Sequence, residues 1–226
     1  MRTFSNLASG MAAILLMLIF SCAPAYVPNV VTTPMLGQQG EVVATFNTGI
    51  SGFDPQFAYA ITDEIGVIAN GSFRDYTSDS TNNYHRHLFG EVGAGYFTKL
   101  GNAGRFEVYG GGGGGLLQAE FDNQIFVSFA DVRYYRGFIQ PSIGLVTDVA
   151  ELSFSSRFVF LTLQQDGVRR ASPFIEPAIT AKLGYKYVKG TMQLGLSLPM
   201  KEQLDFFYQP FIFSMGLQIR IVPRQL

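Results

Sequence analysis

Apolar and polar residues alternate along most of the chain after residue 40. In the stretch 211–221 every odd position is apolar, and the even positions after Ile212 are small, polar or charged. A strand sends successive side chains to opposite faces, so this stretch predicts a β-strand with one apolar and one polar face. No stretch after the first 21 residues has a convincing helical period, which predicts an all-β fold. The predicted strands are 41–49, 56–62, 65–74, 87–98, 105–119, 134–146, 151–163, 174–187, 191–198 and 209–221.

The connections between these strands alternate in length. Short ones are predicted at 63–64, 100–104, 147–149 and 188–190, and long ones at 50–55, 75–86, 120–133, 164–173 and 199–208. Short turns at one end and long loops at the other are typical of outer-membrane barrels. We therefore predict an antiparallel up-and-down transmembrane β-barrel of ten strands over 41–222, closed by the last strand pairing with the first near 41–48. An eight-stranded barrel with 41–62 outside the wall is the alternative.

The polar face of the strands indicates which side faces inward. A soluble lipocalin-like barrel also has one apolar face, but its polar exterior would be rich in Lys and Glu. Here the polar positions are mostly Gly, Ser, Thr, Ala and Gln, and charged residues make up 15% of the chain, against about 25% in an average soluble domain. This face is therefore predicted to line a narrow lumen, and the apolar face to contact lipid.

Scattered charges on that polar face predict an ion-pair network, because an unpaired buried charge costs several kcal/mol. We expect the network to plug the barrel, with Arg220 bound to Glu41 or else to Glu176. Its predicted members are Glu41, Glu91, Glu107, Glu176, Arg136, Arg157, Lys182, Lys186 and Arg220. Tyrosines near strand ends are predicted to form the interfacial girdles. They are Tyr59, Tyr96, Tyr135, Tyr185 and Tyr187.

The first residues have the pattern of a secretory signal. Arg2 precedes an apolar run of ten residues, Met11–Phe20, whereas a membrane span needs about 20. Ser21-Cys22 follows, which resembles a lipoprotein signal cleaved before Cys22, with the thiol then lipidated by acyl chains such as palmitate. Residues 1–21 are therefore the predicted signal peptide. Cleavage after Ala25, leaving Tyr26 as the first residue, is the alternative.

Residues 22–40 link the predicted lipid to the barrel. Residues 23–40 contain three prolines and no regular period, which predicts an extended tether. Folding of this segment back into the barrel mouth is the alternative.

Gly110–Gly115 is a run of six glycines. A phosphate-binding loop would need Gly-Lys-Ser/Thr before a helix, and neither is present. The run is therefore interpreted as a bent strand that leaves room for large opposing side chains.

Few residues in the sequence are candidates for a metal-binding or catalytic site. His85 and His87, alternate residues on a predicted strand, are a weak metal-site candidate that lacks an assured third ligand. The loop 75–83 has oxygen ligands, but their spacing is not that of a calcium loop. A hydrolase or acyltransferase site at the barrel rim is a further candidate, and it would use Ser80, His85, His87 and Asp75.

The apolar segments 125–129 and 201–208 are interpreted as strand extensions above the membrane, with a hydrophobic ligand or partner site as the alternative. No cofactor is predicted.

Two resemblances extend these predictions. Ser214, Gly216, Ile219 and Ile221 fill the pattern of the C-terminal targeting strand of outer-membrane barrels, although 222–226 replace the usual terminal aromatic. Residues 22–29, 34–36, 40–42 and 56–63 resemble uncharacterised outer-membrane β-barrel lipoproteins of the Bacteroidota. Surface-exported members of that group carry an acidic stretch after the cysteine. Its absence from 23–26 implies an anchor on the periplasmic side.

The leading interpretation is a non-enzymatic, lipid-anchored outer-membrane barrel with extracellular long loops and an envelope-structural or loop-mediated binding role. Its expected partners are outer-membrane lipid and the barrel-assembly and lipoprotein-sorting machineries. A net charge of −1 gives no electrostatic reason to expect nucleic acid. The alternatives are a small channel or hydrophobic-solute conduit, a rim enzyme, and a soluble calycin-like lipid-binding lipoprotein.

Overall fold

The computed structural model describes residues 24–77, 83–122, 127–165 and 167–223. The predicted signal peptide, Cys22, Ser80, Ile125 and Phe126 lie outside these ranges. The strands are β1 (Val42–Gly49), β2 (Gly52–Ala60), β3 (Ile65–Thr77), β4 (Tyr84–Leu100), β5 (Gly104–Asp122), β6 (Val127–Val146), β7 (Ala150–Gln165), β8 (Val168–Tyr185), β9 (Val188–Leu196), β10 (Leu198–Pro199) and β11 (Phe211–Ile221). No helix long and apolar enough to cross a membrane occurs in these ranges.

The strands close into an antiparallel barrel. Each of β1 to β8 pairs with the next strand, β9 pairs with β11, and β11 pairs with β1 from Val42–Ile221 to Gly49–Ser214. The two-residue β10 pairs with β8 beyond the end of β9. The wall therefore has ten strands, which confirms the predicted barrel and its closing pair. The eight-stranded alternative is wrong, because β1 and β2 are part of the wall.

The two ends of the barrel differ in their connections. The turn end carries residues 61–64, 101–103, 147–149 and 186–187. The loop end carries 50–51 and 197–210, and β3, β5 and β7 also end there. Long loops at 50–55 and 164–173 were predicted wrongly, since the strands continue through both stretches. Gly52 (φ +106°) and Gly167 (φ +76°) instead make these connections tight.

The two faces of the wall have opposite polarity. Along β11, Phe213, Met215 and Leu217 are exposed on the outside, whereas Ser214 and Gln218 are buried on the lumen side. The same alternation runs through the other strands, so large apolar side chains cover the exterior and polar side chains fill the interior. All five predicted girdle tyrosines are exposed on the outside.

The glycine run lies in β5 and leaves room inside the lumen. A Cβ on Gly113 would lie 2.1 Å from the Gly90 carbonyl oxygen and 2.5 Å from Glu91 Cβ, and a Cβ on Gly111 would lie 2.2 Å from the Val92 carbonyl oxygen and 2.8 Å from the Phe138 ring. Real Cβ atoms do not approach other atoms this closely. The run therefore makes space for the main chain of β4 and, as predicted, for large opposing side chains such as Phe138 and Glu91.

Residues 25–37, here called the lumen segment, lie inside the barrel. Every residue from Ala25 to Leu36 is buried, and the segment then reaches β1 through Gly40, which has φ +78°. The predicted extended tether is therefore wrong for these residues, and the alternative of folding back is nearer to the structure. Val30, Val31, Met35 and Leu36 explain the difference, because a tether in water would leave these apolar side chains exposed.

Candidate functional site

The lumen segment runs along the barrel from the loop end to the turn end. At the loop end the Ala25 amide donates to the Phe207 carbonyl (2.8 Å). At the turn end the Gly37 amide donates to Glu41 Oε2 (2.7 Å) and the Gln39 amide donates to Asp63 Oδ1 (2.8 Å). The segment therefore passes through the whole lumen.

Inward side chains of the wall satisfy the segment's main chain. Gln193 accepts from the Val31 amide and donates to the Val31 carbonyl, both at 2.8 Å. Gln56 donates to the Val30 carbonyl (2.8 Å) and Gln140 to the Thr32 carbonyl (2.7 Å). Buried main-chain amide and carbonyl groups outside a strand still require hydrogen-bond partners. The amide side chains of the wall meet that requirement.

Four charged residues of the wall form an outer cluster around Asn29. Arg136 binds Glu91 at 2.6 Å and Arg157 binds Glu176 at 2.6 Å, and all four side chains are fully or almost fully buried. Asn29 Oδ1 accepts from both guanidinium groups, its carbonyl accepts from Arg157 Nη2 (2.9 Å), and its Nδ2 donates to Glu91 (3.2 Å). Asn29 thus joins both ion pairs and fixes the segment between them.

An inner cluster holds the segment nearer the turn end. Arg220 binds Glu41 and also contacts Glu151 at 3.0 Å, while Lys182 and Lys189 contact Glu151 at 3.2 and 3.0 Å. Three carbonyls of the segment complete the cluster. Arg220 donates to those of Pro34 (2.8 Å) and Met35 (3.2 Å), and Lys182 donates to that of Thr33. The cations of the wall therefore bind main-chain oxygens of the segment as well as carboxylates.

The structure places most predicted network residues in the lumen. The predicted Arg220–Glu41 pair is confirmed, and Glu107 accepts a hydrogen bond from the Met35 amide (3.0 Å). Lys186 was predicted wrongly. It lies exposed in the β8–β9 turn with φ 44°, because β8 ends two residues earlier than predicted. The same shift moves Lys189 from the predicted turn into the lumen.

Lys189 and Glu151 are the network residues that sequence reasoning missed. Glu151 stands at the first position of a predicted strand, where the alternation does not yet define a face. It lies at the centre of the inner cluster, with contacts to Lys182, Lys189 and Arg220. Its alternation with Leu152 and Ser153 could have indicated the inward face.

Aromatic side chains close the lumen at the loop end. Tyr26 lies against Phe174 with 5.2 Å between ring centroids, and Phe174 lies 5.4 Å from Tyr208 and 6.4 Å from Phe206. Tyr26 also donates to Glu176 (2.7 Å). Residues 201–208 were interpreted wrongly as a strand extension, since they belong to a loop whose aromatics pack inward over the lumen.

The two histidines lie inside the wall near the loop end and contact each other. His85 Nε2 is 3.0 Å from His87 Nδ1, and His87 Nε2 is 2.9 Å from Ser72 Oγ. Asp75 faces outward and pairs with Arg86 (2.9 Å), so the predicted rim set does not come together among the described residues. No group of three or more His, Cys, Asp or Glu side chains able to hold a metal ion occurs in the described ranges.

His85 is the second residue of β4 and lies next to the exposed Arg86–Asp75 pair at the loop end. At this position burial, with a smaller effect from Arg74, lowers the pKa of His85 to about 4. The imidazole is therefore neutral at pH 7. A neutral ring is suited to the hydrogen bond that it makes with His87.

Little space is left beside the lumen segment. A cavity lined by Val30–Pro34 and side chains such as Thr45 and Thr180 has about 10 Å³, which is close to the minimum for a single water molecule. The side chains and the segment together fill this part of the lumen.

The targeting-strand residues divide between the two faces of β11. Ser214 is buried in the lumen, and Ile219 and Ile221 are exposed on the outside. A Cβ on Gly216 would lie 2.5 Å from Asn47 Oδ1, so glycine is needed for packing at this position. A role of this strand in targeting stays a prediction.

A scan against protein-family models finds no match to this chain, and a search of curated proteins finds none either. The resemblance to barrel lipoproteins of the Bacteroidota therefore stays a prediction.

Proposed function

We propose that this protein is an outer-membrane β-barrel lipoprotein of the Bacteroidota type with a filled lumen, which acts without catalysis as an envelope-structural or loop-mediated binding protein. The observation that carries the proposal is the polarity of the barrel. Apolar side chains cover the exterior, and buried charges and amides fill the interior. This arrangement is suited to lipid outside and is the reverse of a soluble protein.

The polarity favours a membrane barrel over a soluble calycin-like carrier. A soluble carrier would expose its polar face to water and keep an apolar cavity for ligand. In this barrel Leu152, Phe154 and Phe160 are exposed on the outer face of β7, whereas Ser153, Ser155 and Arg157 are buried on its inner face.

The filled lumen favours a structural role over a channel or solute conduit. A conduit needs a continuous path lined by groups free to bind solute. Here the wall amides and cations are bound to main-chain oxygens of the lumen segment, for example Gln193 to Val31 and Arg220 to Pro34. Solute entry would require the segment to leave.

The histidine contacts favour a structural role over a rim enzyme. Ser72 is buried and lies between His87 and the Ser51 carbonyl (3.5 Å). A nucleophile must reach its substrate, and this hydroxyl is enclosed by the wall. We expect the envelope lipids of cells with Ser72→Ala or His87→Ala to carry the same modifications as those of wild-type cells.

Two measurements test the proposal. The membrane fraction should contain a species whose gel mobility changes on boiling, as folded membrane barrels show. Purified protein in planar bilayers should give no persistent open-channel steps. Solubility of a Cys22→Ala mature chain without detergent would overturn the membrane assignment. Steady conductance by the wild-type chain would overturn the filled lumen.

The loop end is where a binding role would be located. Phe207 and Met200 are exposed in the loop 197–210, while Phe206 and Tyr208 of the same loop pack over the lumen. The loop therefore exposes the apolar side chains of Met200 and Phe207, while Phe206 and Tyr208 fix it to the buried aromatic residues of the lumen. Replacing Met200 and Phe207 together by Ser should abolish partner capture on intact cells without changing gel mobility.

A further inference from the structure

We infer that the lumen segment carries the chain through the barrel wall's full height, so that the lipid anchor predicted at Cys22 lies on the outer surface of the membrane. This inference rests on the proposed outer-membrane location. It differs from the sequence expectation, which combined a periplasmic anchor with extracellular loops.

The direction of the segment is fixed by its contacts at both ends and in the middle. Ala25 and Tyr26 contact Phe207 and Gln209 of the loop end. Asn29 contacts the outer cluster, and Met35 contacts Glu107 nearer the turn end. The chain therefore enters the lumen at the loop end and leaves it at the turn end.

The length of the segment agrees with this path. The residues from Ala25 to Gly37 can extend to about 40 Å at about 3.3 Å per residue. The hydrocarbon core of a bilayer is about 30 Å thick. The segment is therefore long enough to cross the membrane inside the barrel.

The position of Cys22 follows from chain reach. Cys22 stands three residues before Ala25 in the sequence, and a chain of three residues spans at most about 10 Å. Ala25 is buried beside the loop 197–210, and Pro24 is already partly exposed. Outer-membrane barrels carry their longer loops on the extracellular side. Acyl chains on Cys22 therefore have only the outer leaflet within reach.

Cysteine labelling of the full chain in intact Gram-negative cells tests the inference. A membrane-impermeant maleimide is applied to Pro24→Cys, to Glu202→Cys at the loop end and to Glu64→Cys at the turn end. The last two residues are exposed in the structure. Wild type should take no label, because its lone thiol carries lipid. We expect Pro24→Cys and Glu202→Cys to label in intact cells, and Glu64→Cys to label only after permeabilisation, with at least a tenfold difference.

The other outcomes overturn the inference in distinguishable ways. Labelling of Pro24→Cys only after permeabilisation, together with Glu64→Cys, would place the anchor inside and leave the proposed function standing. A labelled wild type, or a mature chain beginning at Tyr26 by mass spectrometry, would remove the anchor. Equal labelling of Glu64→Cys and Glu202→Cys in intact cells would overturn the membrane location itself. An epitope inserted between Ala23 and Pro24, read by antibody on intact cells, repeats the test without a change of residue.

Discussion

Asn29→Ala tests how the lumen segment is held. The Asn29 side chain accepts hydrogen bonds from Arg136 and Arg157 and donates one to Glu91. Alanine removes all three and leaves the carbonyl contact to Arg157 in place. The two guanidinium groups then lose a shared acceptor in a buried cluster.

The size of the effect follows from the charges involved. A hydrogen bond to a charged group contributes about 1.5–3 kcal/mol, so the three bonds, from Arg136 and Arg157 and to Glu91, set an upper limit of about 4.5–9 kcal/mol. We expect a value near 3 kcal/mol, because water can occupy the space left by the amide. The two ion pairs keep their direct contacts and limit the loss.

Urea unfolding of the detergent-solubilised barrel, followed by its heat-modifiable gel mobility, measures the free energy of unfolding. Asn47→Ala is the matched control, because Asn47 is also buried in the lumen but accepts from a neutral Thr191 hydroxyl (2.8 Å). A neutral hydrogen bond contributes about 0.5–1.5 kcal/mol. Equal losses in the two variants would refute the idea that the outer cluster anchors the segment.

Three further predictions concern other parts of the barrel. Arg220→Met should lower the free energy of unfolding by about 3–5 kcal/mol, because it leaves buried Glu41 and Glu151 without one of their cationic partners. Arg86→Met, in the exposed pair with Asp75, should lower it by less than about 1 kcal/mol. Equal effects of the two substitutions in urea unfolding would contradict this prediction. Gly113→Ala should cost about 1–3 kcal/mol or more, because its Cβ would lie 2.1 Å from the Gly90 carbonyl oxygen and 2.5 Å from Glu91 Cβ. Gly110→Ala, whose Cβ would meet nothing closer than 3.7 Å, should be nearly neutral in the same assay. The pKa of His85 is about 4 in the folded protein and should be about 6.5 when unfolded, so its stabilising contribution is present above pH 6.5 and is lost as the pH falls towards 4. An NMR titration of the imidazole with a midpoint near 6.5 would disprove that shift.

Alternation made the wall of the barrel predictable from sequence. Because the side-chain period of a strand is two, one well-placed residue fixes the face of all its neighbours. Arg220, a charged residue in a largely apolar stretch, is predicted by this rule to face the lumen and to bind Glu41 or else Glu176, and it binds Glu41. Where the bounds of a strand were uncertain the method failed. At the β8–β9 turn, Lys186 is predicted to face the lumen and Lys189 to lie in the turn, but the structure has the reverse. The turn begins two residues earlier than predicted, and this changes which lysine points inward.

The lumen segment was harder to predict, because it has no periodicity of its own, but the width of the barrel accounts for it. Eight strands enclose an interior that side chains can just fill, and this wall has ten. The extra width must be occupied, since without the lumen segment Gln56 would lose its protein partner, and Gln140 and Gln193 would keep only Ser142 (3.4 Å) and Thr180 (2.7 Å). Their side chains bind the main chain of Val30, Thr32 and Val31 instead. Uncharged amides on the inward face of a ten-stranded wall therefore indicate an extended chain inside it, and the apolar residues of 25–37 supply that chain.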